Sequence, residues 1–89
     1  MELNREVLEQ DFLRWIDKLQ TLFNNFLDDL KLLRSKVGVE EVADLNFQLG
    51  RLMLELAVQL SSCAVEMEKL SKLRISQMVK LALKEKSNE

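Results

Sequence analysis

Between Val42 and Met67 apolar side chains recur at alternating spacings of three and four: Val42, Leu45, Leu49, Leu52, Leu56 and, after an interruption at Gln59, Cys63. That is the a/d pattern of a packed helix. A second line runs beside it. Ala43, Gly50, Ala57 and Ala64 repeat every seven residues, with Met53, Leu60 and Met67 between them. The polar positions Gln48, Arg51, Glu55, Gln59, Ser62 and Glu66 fall on one narrow line, bordered by Leu54, Val58 and Val65. A helix with one partner needs one apolar stripe, and this one carries at least two. Gly50 costs a helix about 1 kcal/mol relative to alanine, and its place in the small-residue line predicts a close helix approach there.

The first third of the chain predicts another amphipathic helix. Its apolar positions are Leu8, Phe12, Ile16, Leu19, Phe23, Phe26, Leu30, Leu33 and Val37, flanked by Leu13, Trp15, Leu22 and Leu27. Its polar line is Gln10, Arg14, Asp17, Thr21, Asn24, Asp28, Lys31 and Ser35. Asn4 is suited to cap it, with Leu3 and Leu8 placed as a hydrophobic staple. Lys31, Arg34 and Lys36 suit its C-terminal dipole, and Gly38 suits a left-handed residue after its end. These signals predict helix A over about 5–36, a turn at 37–40, and helix B over about 40–86 with a basic extension at 69–89. A turn this short makes the helices antiparallel neighbours. At 1.5 Å per residue helix B would outrun helix A by about 20 Å. A break near Ser71–Ser76 would instead produce a three-helix bundle.

The expectation is therefore an all-α single domain over 1–89: an antiparallel hairpin of two long helices, dimerising into a coiled-coil-like four-helix bundle. A lone hairpin buries only its facing stripes, and both helices have more apolar circumference than that. The expected oligomer interface is Ala43, Gly50, Met53, Leu54, Ala57, Val58, Leu60, Ala64 and Met67, in a homodimer; a bundle completed by a different chain is the runner-up. Trp15, Phe12, Phe23, Phe26 and Phe47 are expected in the packed interior.

Composition agrees with helices. Of 89 residues 47% are hydrophobic and 31% charged, with no proline and two glycines, too apolar for a disordered chain. Chemistry is scarce. Without histidine, the commonest general base and metal ligand is missing. Glu40, Glu41 and Asp44 gather at a helix start, where the dipole accounts for them. Cys63 lies on the apolar line, as a small hydrophobe rather than a nucleophile. No catalytic or metal-binding residue, no cofactor and no enzymatic activity is expected. A single cysteine forms no internal disulfide and points to a reducing compartment, the cytoplasm. The opening residues are polar and partly acidic, unlike a secretory leader, and no apolar run reaches the ~20 residues of a membrane span.

Charge adds one feature. Residues 1–68 hold seven Lys/Arg against thirteen Asp/Glu, a balance of −6, whereas 69–89 hold six against two, a balance of +4. Lys72, Arg74, Met78, Lys80, Lys84 and Lys86 are the candidate partner-binding positions in that basic segment. The function expected is a non-catalytic protein–protein interaction module: a small adaptor, assembly subunit, chaperone or regulator, with a second protein as partner. The alternative is a nucleic-acid-binding regulator using the basic helix, although no aromatic or Asn/Gln-rich reading face accompanies the lysines. Third is association with a membrane surface.

Overall fold

The computed structural model describes residues 5–87. Two helices account for nearly all of them: α1, Arg5–Arg34, and α2, Val42–Ser87. They lie antiparallel in a hairpin, so the molecule is all-helical, with principal extents of 74 × 18 × 11 Å. α2 continues through Ser71 and Ser76 without a break, so the three-helix arrangement does not occur. Neither serine disrupts the helix, and no proline or glycine stands after Gly50. Leu3 and Asn4, the expected staple and cap, lie outside the described residues.

The connection, residues 35–41, is built from short-range backbone bonds. Lys36 N donates to Leu33 O at 3.1 Å and Val37 N to Arg34 O at 3.3 Å, tightening the end of α1. Val39 N then donates to Lys36 O at 3.0 Å. That bond closes a turn over 36–39 with Gly38 in its third place at φ +88°, where a positive φ favours glycine. Gly38 thus serves the turn rather than the C-cap of α1, because α1 has already ended four residues earlier. α2 starts when Leu45 N bonds Glu41 O at 3.1 Å.

The register follows from pairs that cross the hairpin. Asp11 meets Arg74, and Lys18 meets Glu66. Near the turn, Lys36 Nζ donates to Gln48 Oε1 at 3.2 Å, and Gln48 Nε2 donates to Glu40 Oε2 at 2.9 Å. The connection therefore folds back over the first turns of α2. The extra length of α2 is divided between the two ends instead of projecting about 20 Å from one. Leu45, 8% exposed, is buried beside that connection.

The interior is thin. Leu45 and Cys63 are its only buried apolar residues among those described, and no side chain is wholly enclosed. Leu52, Leu56, Leu60 and Leu70 of α2 are half-buried against Trp15, Leu19, Leu22, Phe26, Leu30 and Leu33 of α1. Three sequence expectations change here. Val42, the expected head of the a/d line, is exposed because α1 ends before reaching its level. The line α1 turns toward α2 is centred on Trp15, Leu22 and Phe26, so Phe12 and Phe23 point outward, 63% and 45% exposed. Phe47 is 69% exposed, at the edge of a shallow groove that Asp29, Leu32 and Leu33 of α1 also line. A hairpin supplies each helix with one neighbour, and side chains more than about a quarter-turn from it stay in solvent.

Candidate interaction surfaces

The two sides of the hairpin differ in chemistry. One carries Lys18, Thr21, Asn25 and Asp29 of α1 and Glu55, Gln59 and Ser62 of α2, around an open groove of about 670 Å³. Leu22, Phe26, Leu52, Leu56 and Cys63 form its floor. Lys18 Nζ spans this side at its edge, donating to Glu66 Oε2 at 3.1 Å and standing 4.9 Å from the centre of the Trp15 ring. The polar lines of both helices thus meet on one side.

The opposite side is apolar. Helical geometry brings Leu8, Phe12, Ile16, Phe23, Leu27 and Leu30 of α1 beside Leu49, Met53, Ala57, Leu60, Ala64, Met67, Ile75 and Met78 of α2. Phe12, Met53, Ile75 and Met78 are 49–63% exposed, and Ile16, Leu49 and Met67 about one-third. Asn46 and Ser71 are polar positions on the same side of α2. Toward the open end, Leu8, Phe12, Met67, Ile75 and Met78 line a groove of about 320 Å³ over the Asp11–Arg74 pair. Isolated exposed leucines are ordinary, but a continuous apolar face is a mark of association.

The residues expected at an oligomer interface divide between surfaces. Ala57, Ala64, Met53, Leu60 and Met67 lie on the apolar face, with Ala43 and Gly50 at its rim. Leu60 and Met67 also pack toward α1. Leu54 and Val58, 66% and 68% exposed, project from the back of α2 with Val65. No helix of the chain approaches Gly50: a Cβ built there meets nothing within 4 Å. Close packing at the small-residue line therefore does not arise within one hairpin.

The basic segment is less free than its sequence suggests. Arg74 Nε donates to Asp11 Oδ2 at 2.8 Å and Nη2 to Oδ1 at 3.2 Å, while Nη1 reaches Gln77 Oε1 at 3.2 Å. Both charged side chains are largely buried, 16% and 13% exposed. The Arg74 hydrogen bonds hold the Asp11 carboxyl below its ordinary value against the opposing effect of burial, with the charges of Arg74 and Arg14 adding to them. The same pairing raises Arg74. Lys72 Nζ pairs with Glu68 at 2.9 Å. Lys80 and Lys86 are exposed, as is Lys84, and Met78 belongs to the apolar face. Folding also sets this segment beside the acidic first turns of α1, Glu6, Glu9 and Asp11. The Asp11–Arg74 pair thereby offsets one charge of that asymmetry in space.

Sequence reasoning passed over Asp11. The signal was present: Asp11 lies three residues after Leu8 and four before Trp15, and Arg74 four after Leu70. A lone acid and a lone base, each inside an apolar line, are candidates for each other.

Among the described residues no group of three His, Cys, Asp or Glu is placed to hold a metal ion. No helix among them is long and apolar enough to cross a membrane. Comparison with protein-family models, curated proteins and solved structures finds no match to this chain.

Proposed function

We propose that the protein is a non-catalytic protein–protein interaction module of the adaptor, assembly-subunit, chaperone or regulator kind, acting by helix packing. The observation that carries this reading is the apolar face shared by α1 and α2. The chain exposes 7532 Å², whereas a compact monomer of 10.4 kDa exposes about 5,400 Å². The excess, roughly 2,000 Å² in that scaling, exceeds the about 800 Å² per partner of a standard interface. Nothing in the chemistry of the side chains competes with this reading. Cys63 lies in the floor of a groove, and the one buried carboxylate among the described residues, Asp11, is paired with Arg74.

The test is affinity purification of the tagged chain beside its Met53→Asp variant. Wild type is expected to retain a protein in stoichiometric amount, and the variant to lose it with helicity unchanged by circular dichroism. Equal retention by both overturns the reading. A nucleic-acid role for Lys80, Lys84 and Lys86 predicts a mobility shift at low salt that fades as salt rises. Arg74 and Lys72 of that segment are already paired with Asp11 and Glu68, which argues against it.

A further inference from the structure

We infer that the partner on the apolar face is a second copy of this chain, turned about a two-fold axis parallel to the helices, so that α1 of each copy packs on α2 of the other and both turns lie at one end. This rests on the interaction-module reading and names the occupant of its surface.

Area is the first argument. The face runs the length of α1, about 45 Å for its 30 residues, across a hairpin 18 Å wide. That is about 800 Å², the area each partner contributes to a standard stable interface. Self-complementarity is the second. An isologous contact requires that one surface fit its own rotated image. On this face α1 is bulky, with Phe12, Phe23 and Leu30, whereas α2 is small at Ala57, Ala64 and Ser71. Rotation about the long axis sets α1 of each copy over α2 of the other, so that large residues of α1 meet the small positions of α2, and it keeps levels along the axis unchanged.

Those levels are set by the Asp11–Arg74 and Lys18–Glu66 crossings. They put Ser71 between Phe12 and Ile16, Ala64 between Leu19 and Phe23, and Ala57 between Leu27 and Leu30. Each small residue of one copy thus receives the gap between two large residues of the other, the interdigitation that fills a helical core. The opposite rotation, with turns at opposite ends, would set Phe12 and Phe23 against their bulky counterparts and leave the alanines facing alanines. Facing helices are antiparallel in the inferred bundle, which also suits their dipoles. Leu54 and Val58 stay outside it.

The test has two readouts on the full chain. Light scattering is expected to return twice the 10.4 kDa chain mass for wild type and for Leu54→Asp, and the single-chain mass for Phe23→Asp. A nitroxide at Val39→Cys, in the turn and 84% exposed, then reports orientation. Cys63, 5% exposed, is shielded from the reagent. Turns at one end predict a label separation of about 20–30 Å, two or so helix diameters. A separation above about 50 Å along a helical molecule, 74 Å long here, overturns the orientation. A single-chain mass for wild type at millimolar concentration overturns the second copy as occupant. If Met53→Asp still abolishes capture of a different protein, the interaction-module reading survives that failure; if it does not, both fall. Should Phe23→Asp unfold, the wild-type mass and the label distance still decide.

Discussion

Arg74 grips Asp11 through two parallel hydrogen bonds, Nε to Oδ2 at 2.8 Å and Nη2 to Oδ1 at 3.2 Å, across the seam of the hairpin. The fork of the guanidinium matches the two carboxylate oxygens, which an ammonium cannot do. Sixty-three residues separate the two along the chain, so the pair fixes how far α2 slides along α1. Arg74→Ala leaves a carboxylate uncompensated in the seam. It is expected to lower Tm by several degrees, whereas Asp11→Asn/Arg74→Gln recovers part of the loss. Arg74→Lys should behave more like alanine than like arginine. Thermal melts of the four chains decide it; equal Tm values would refute a register-setting role.

The same pair makes stability depend on acid. Asp11 is held below its unfolded value, so its contribution is complete above the ordinary carboxylate range. It declines as pH falls below about 4 and is gone once pH passes below the folded-state value. Urea midpoints measured between neutral and strongly acid pH are expected to fall more for wild type than for Asp11→Asn. Parallel profiles would remove Asp11 as the source.

Gly50 carries the intrinsic helix penalty with no neighbouring helix to justify it in the hairpin, since its missing Cβ faces open space. Gly50→Ala is expected to raise stability by about 0.5–1 kcal/mol, read as a higher urea midpoint at unchanged slope. A loss would mean that something approaches this position closely.

Gly38 is the opposite case. Its φ of +88° costs any L side chain about 1–2 kcal/mol. Gly38→Ala is expected to destabilise by that amount, through the turn alone, with helicity at low temperature unaltered. Chemical denaturation of the two chains side by side measures it.

Cys63 is 5% exposed and sits under the seam. A thiol reagent reaches it only when α1 and α2 separate. Labelling of the native chain is expected to be slow, to accelerate with denaturant, and to accelerate in Arg74→Ala without denaturant. Immediate labelling of wild type would place the thiol at the surface.

Much of the architecture was legible in the residues. A 3.6-residue periodicity, the absence of proline and the turn signals at 37–40 determine two long helices, because each signal acts within a few residues along the chain. The short turn then makes them antiparallel. The same reasoning located Cys63 and Leu45 in the seam and found more apolar circumference on α2 than one neighbour can cover. Periodicity defines a stripe but not the direction it faces when the stripe is broad. Which part of α1 turns inward was decided by tertiary structure. Asp11 meets Arg74 and the Trp15 side chain is half-buried, so Phe12 and Phe23 go outward. The partnering of Arg74 in the basic segment was likewise invisible, because Asp11 reaches it only once the chain has doubled back. Local pattern sets helices and turn by short-range forces. Rotation, register and the neutralisation of distant charges belong to the hairpin as a folded object.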